Sequence, residues 1–181
     1  MIKYGELRKA VVKGLYDHLN NGQQGEESEN VTHVIMANQF HPKPGYPYVT
    51  YTFTTPMTGA WPRPAAYTVE ENPEAETVKY HRDSLQEMTL SLTAISMDTD
   101  EAHEIALDAA AWFTWLGWLY LKGHEIVVVR VEALSNRDTL IVDDYERRVG
   151  FDVRLRARSK ITKEIERIEK ADISYKESEN A

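Results

Sequence analysis

At 181 residues with no cysteine, the chain is long enough to bury a core of its own, and thiol catalysis, thiolate metal sites and disulfides are excluded. Charged residues at 28% and hydrophobic residues at 42% are ordinary for a globular domain, while a formal net charge of −8 argues against a general nucleic-acid binder. The start, Met1 to Glu6, carries no apolar signal-peptide core.

In chain order, Ile2 to Leu19 reads as an amphipathic helix, with Tyr4, Leu7, Val11, Leu15 and Leu19 along one side. Asn20-Asn21-Gly22 ends it, and Gln23 to Asn30 is a polar, acidic loop. Val31 to Met36 is a strand. Asn38 to Pro47 is a loop stiffened by Pro42, Pro44 and Pro47. Tyr48 to Thr54 alternates Val49, Tyr51 and Phe53 with threonines, as a strand covered on one side does. Thr55 to Ala66 is a second Pro/Gly loop that displays Trp61. Tyr67 to Arg82 reads as an edge arm or long hairpin, turning at Glu70 to Glu74.

The stretch Ser84 to Leu134 organises the rest. Met88, Leu90, Leu92 and Ala94 share one face of a strand from Leu85 to Met97, opposite Glu87, Thr89, Ser91 and Thr93. Ile95 and Met97 break that phase, which predicts a bulge or the strand's end near Ala94. Asp98 and Glu101 make a capping box for a helix running to Leu121, about 23 residues or ~35 Å. Ala102, Ile105, Ala106, Ala109, Trp112, Phe113, Leu116 and Tyr120 form its apolar face, and Gly123 is its expected left-handed cap. Leu107, Ala111 and Trp118 lie on the back and Trp115 on the flank, so the second half is apolar nearly all round and predicts burial on more than one side. Ile105 to Leu121 is short for a membrane span and contains Asp108, which argues against a membrane role.

Beyond the helix, Ile126 to Val129 is a continuous apolar run within Glu125–Ala133 and predicts a fully buried strand. Turns at Ser135–Asp138 and Asp143-Asp144 flank a short strand, Thr139 to Val142. Tyr145 to Ile161 is a long strand with Val149, Phe151, Val153, Leu155 and Ala157 on one face. Lys160 to Lys170 carries Ile161, Ile165 and Ile168 and predicts a short charged helix, followed by a frayed tail. The sum is an α+β fold: a mostly antiparallel sheet covered on one face by the long central helix and the N-terminal helix. Residues 1–160 make one domain, and residues 161–181 a charged helix and tail.

Signals for chemistry are few. Asp98, Asp100 and His103 lie close together, as do His81 and Asp83, but neither group has ligand-pair spacing, and acidic residues at a helix start serve as caps. There is no Gly-x-Ser-x-Gly elbow and no phosphate loop, and Asp143-Asp144 read as a solvated turn. No catalytic residue, cofactor or metal is expected. Arg148, Arg154, Arg156 and Arg158 form a stripe on the last long strand, either a solvated face paired with neighbouring carboxylates or a charged interface to protein or passing DNA. The stronger signals concern interaction: Trp61, Trp115, Trp118 and the arginine stripe are residue types favoured at protein interfaces.

Tyr46-Pro47-Tyr48-Val49-Thr50-Tyr51 after Ala37-Asn38-Gln39, then Leu90-Ser91-Leu92, Ala102, Trp112-Phe113, Asn136-Arg137-Asp138 and Tyr145-Glu146-Arg147-Arg148-Val149-Gly150-Phe151-Asp152-Val153 follow one another in a familiar order. In that order and spacing the chain resembles the neck or tail terminator proteins of long-tailed bacteriophages and prophages, over roughly residues 31–158, with the last block the most specific. The resemblance implies a structural virion protein assembled in the bacterial host cytoplasm. It would form a ring, usually a hexamer, at the head-proximal end of the tail tube. That ring ends tube polymerisation and joins the tail to the head connector, with genomic DNA passing through the lumen. The implied partners are further copies of the chain, the tail tube protein and the connector or stopper protein. A head-completion or stopper protein of the same neck is the alternative, and a small prophage enzyme or ligand-binding domain a more distant one.

Overall fold

The computed structural model describes residues 3–20, 31–40, 42–59, 65–72, 77–141 and 144–166. The elements are α1 (Tyr4–Leu19), β1 (His33–Met36), β2 (Tyr48–Gly59), β3 (Ala66–Asn72), β4 (Thr77–Ser96), α2 (Thr99–Ala111), a π-helical turn (Trp112–Leu116), α3 (Trp118–Gly123), β5 (Ile126–Val131), β6 (Ser135–Asn136), β7 (Thr139–Ile141) and β8 (Asp144–Glu166).

The sheet order is β1-β2-β4-β8-β5, with β3 on β4 and with β6 and β7 on β8. All pairs are antiparallel except β1 with β2. β2 and β3 lie in succession along the same edge of β4: Gly59 pairs with Gln86, and Ala66 resumes at Asp83. Together they make one long hairpin, and its outer part, with the end of β8, is the arm expected between Tyr67 and Arg82.

Alternation explains the core. Paired residues share a sheet face, so Val49, Tyr51, Met88, Leu90, Leu92, Ala94, Val149, Phe151, Val153, Leu155 and Ala157 converge on one side, and all are buried. Ala102, Ala106, Ala109, Trp112 and Phe113 from the central helix and Leu7, Val11 and Leu15 from α1 complete the cluster. Burying the valine, leucine, isoleucine, methionine and phenylalanine side chains of this cluster at ~1.5–3 kcal/mol each is the main driving force of this fold. The α+β architecture with a helical layer on a mostly antiparallel sheet is as the sequence predicts.

Five local expectations are corrected. β2 runs on to Gly59, so Thr55–Gly59, expected as the start of the second Pro/Gly loop, is strand paired with β4. The long helix is interrupted: the π-helical turn admits an extra residue, which rotates everything after it. Trp112 and Phe113 are therefore buried side by side, Gly117 and Leu121 take the inner positions, and Leu116 turns outward. Gly123 is not a left-handed cap; Glu125 is the residue with positive φ, at 59°.

Of the two alternatives expected near Ala94, a bulge or the strand's end, the structure has the second: β4 ends at Ser96. β4 pairs with β8 without a register break from Thr77 to Ser96, and Ile95 is buried because Tyr48 and Arg148 flank it on the otherwise polar face. β5 is an edge strand: only Ile126 is buried, while Val127 and Val129 are exposed, and its register shifts between Val128 and Arg130. Finally, residues 161–166 continue β8 rather than forming a helix. Ile161 and Ile165 stand four apart, a spacing that also satisfies period 2, and β4 from Thr77 to Arg82 offers them a paired edge.

Candidate interaction surfaces

Helices occupy one face of the sheet, and the arginine stripe occupies the other. Arg156 donates from Nε and Nη2 to Glu87, its direct partner across the strands, with the Nε bond at 3.0 Å. Arg158 reaches diagonally to Asp83, at 3.2 and 2.8 Å. Arg148 donates to Glu146 at 2.6 Å. Arg154 is exposed and has no ion pair among the described residues. Three members of the stripe thus hold carboxylates of their own sheet, as a solvated face paired with neighbouring carboxylates does, and Arg154 is left open.

Sequence reasoning passed over the centre of charge on this face. Glu146 is 1% exposed, beneath the proline-rich loop. Its carboxylate accepts from Lys43, from the Tyr46 hydroxyl at 2.6 Å, from the Tyr48 hydroxyl at 3.3 Å and from Arg148. Burial pushes this carboxyl up, but the hydrogen bonds from Lys43, Tyr46 and Arg148 outweigh it and hold the pKa at about 2. Burial likewise lowers Lys43, yet its bonds to Glu146 and Tyr46 leave it raised. The available signal was the glutamate inside the most specific sequence block; period-2 alternation merely placed it on the polar face.

The same block interlocks with Asn136-Arg137-Asp138. Arg137 lies across bare backbone at Gly150, where a Cβ would come within 2.6 Å of its Nη1. It donates to Ser91 at 3.1 Å, Thr93 at 3.2 Å and Asp152 at 3.3 Å. Asp138 accepts from the Arg148 amide at 2.8 Å and from the Arg147 side chain at 3.3 Å. A backbone hydrogen bond from Arg148 chiefly holds Asp138 below the usual carboxylate range. The block therefore carries architecture: it clamps β6 and β7 to the first third of β8.

Trp115 is 71% exposed and Trp118 47%, and Leu107, Leu116 and Leu119 are exposed with them. α1 covers the inner side of this helix, with the Tyr120 hydroxyl donating to the Ala10 carbonyl at 3.1 Å, but not the outer side. Trp61 and Asp143 lie outside the described residues, as does the Asp144 side chain. The remaining candidates serve locally. Asp98 caps α2 by accepting from the Glu101 amide at 2.9 Å, His103 contacts the Thr99 carbonyl, and His81 sits between Thr162 and Glu70. Among the described residues no group of side chains could hold a metal ion, and no helix is long and apolar enough to cross a membrane.

No curated protein matches this chain. A family model described as phage neck terminator protein matches residues 9–179. The match takes in the core strands, the central helix and the interlocked block between Asn136 and Val153, and on that coverage the chain belongs to the phage neck terminator protein family.

Proposed function

We propose that this structural phage neck protein closes into a ring, a hexamer, at the head-proximal end of the tail tube. There it ends tube polymerisation and joins the tail to the head connector. One rim matches the docking surface of a tube subunit; the other offers nothing on which a further tube subunit can add. Genomic DNA passes through the lumen without sequence-specific contacts. The family match over residues 9–179 carries this reading. It is supported by a fold that leaves apolar surface on the arm and on the outer side of α2 and α3, and commits three of the four stripe arginines to its own carboxylates. The family is a class of structural proteins rather than enzymes, and the site chemistry above consists of clamps and caps.

The test is particle mass in solution, followed by electron microscopy with and without tail tubes. The expected result is a ring of about six subunits seated on one end of each tube. A protein that stays monomeric with both tubes and neck partners present would overturn the proposal. Rings bound only to the head connector and never to tubes would assign the chain to the stopper position instead.

A further inference from the structure

The apolar side of the sheet continues beyond its helices. On β4 that face runs from Met88 outward through Gln86, Ser84 and Arg82 to Tyr80 and Val78. Register places Tyr67 and Ile161 on either side of Arg82, Val69 and Lys163 on either side of Tyr80, and Ile165 beside Val78. Tyr67, Val69, Tyr80, Ile161 and Ile165 are all exposed, and all but Val69 line a groove of about 400 Å³. This is the one stretch of the core face, among the described residues, with no helix lying on it. Another uncovered apolar surface is the outer side of α2 and α3, where Leu107, Trp115, Leu116, Trp118 and Leu119 are exposed.

We propose that the outer side of α2–α3 of one subunit lies in the arm groove of a second copy. The inference rests on the ring reading and names the contact that builds it. The element types match, since inside the subunit this same sheet face already takes a helical layer over Met88 and Leu90. The charges decide between pairings. Arg82 and Lys163 border the groove, whereas Asp100 and Glu104 lie in line with Leu107 on the helix, and none of the four has an ion pair among the described residues. Glu71 beside Val78 and Lys122 over Trp118 add one charge of the other sign to each surface. Groove against groove would still set Arg82 and Lys163 against their own copies, and helix against helix would do the same for Asp100 and Glu104, whereas helix against groove brings these opposite signs together. Because the two surfaces are different parts of one chain, the contact is heterologous, and repeating it closes a ring when the rotation permits.

The absence of cysteine makes a direct test simple. Tyr80→Cys and Leu119→Cys are made in separate chains, mixed, assembled on tail tubes and mildly oxidised. Disulfide-linked dimers are expected from the mixture and none from either variant alone. A second pair, Ile161→Cys with Leu107→Cys, guards against poor geometry in the first. Arg82→Glu should abolish assembly, and adding Glu104→Arg should restore it. Rings that form while neither mixed pair links would overturn this contact and leave the ring reading standing. No ring from the unmodified chain would overturn both.

Discussion

The Arg137 side chain rests on the backbone of Gly150, a position where a Cβ would lie within 2.8 Å of three of its atoms. Gly150 is buried within β8, so its replacement by alanine must push Arg137 aside. That costs the bonds to Ser91, Thr93 and Asp152. Gly150→Ala is expected to lower stability by about 1–3 kcal/mol, read as a fall in the urea midpoint at unchanged slope. In an Arg137→Ala background the same substitution should cost far less, because the obstruction is gone.

Glu146 predicts an acid sensitivity. Its carboxyl titrates near 2 in the folded protein against 4.5 ordinarily, so it contributes stability that is fully present above pH 4.5 and lost as pH falls towards 2. The difference corresponds to roughly 3 kcal/mol. Glu146→Gln should destabilise the protein at pH 7 by a similar amount, since it strips Lys43 and Arg148 of their shared anion. The gap between the two proteins should close on acidification; denaturant titrations from pH 7 down to pH 2 measure it. A gap of constant size would show that Glu146 acts through shape alone.

Gly14 sits where α1 crosses the central helix, and a Cβ there would lie 2.8 Å from the Trp112 ring and collide with Tyr120. In an open helix Gly→Ala gains about 1 kcal/mol. Here overpacking costs ~1–3 kcal/mol and should win, so Gly14→Ala is expected to lower the thermal midpoint and to loosen α1 in hydrogen exchange. A stabilised Gly14→Ala protein would mean that α1 packs more loosely than these contacts imply.

The tryptophans separate folding from assembly. Trp115 is largely exposed and Trp118 about half exposed, so exchanging both for serine should leave stability within about 0.5 kcal/mol per site while removing the ring. Trp112 is buried against Phe113 with ring centroids 4.7 Å apart. Trp112→Ala should instead cost ~3–5 kcal/mol and lose the native fold before assembly can be asked about. Thermal denaturation and particle mass, measured on the same samples, distinguish the two classes.

On the stripe, Arg156→Ala breaks a partly exposed pair with Glu87 and should cost ~0.2–1 kcal/mol, diminishing with salt. Arg154→Ala disturbs no ion pair among the described residues and should leave stability unchanged. If Arg154→Ala nevertheless weakens binding to tubes or connector, that face contacts a partner.

Period-2 alternation in β2, β4 and β8, and the N-cap at Asp98, were enough to define the α+β class, the buried face and the start of the central helix, because these depend on a few neighbouring residues; the reciprocal half of the expected capping box is absent, since the Asp98 amide donates to Ser96. The family's motif order was legible for the same local reason. What the sequence could not decide depends on residues far apart in the chain. Ile126 to Val129 looks like a buried strand until the sheet order puts β5 at the edge. Ile161 and Ile165 fit a helix until β4 pairs with them. The π-helical turn arises where Trp112 must fit against Gly117 and α1 at once, and it alone turns Leu116 out. The Glu146 cluster joins residues about one hundred positions apart. Local pattern sets which surfaces are apolar; only tertiary packing selects which of them are covered, since each surface is buried by partners that the local sequence does not contain.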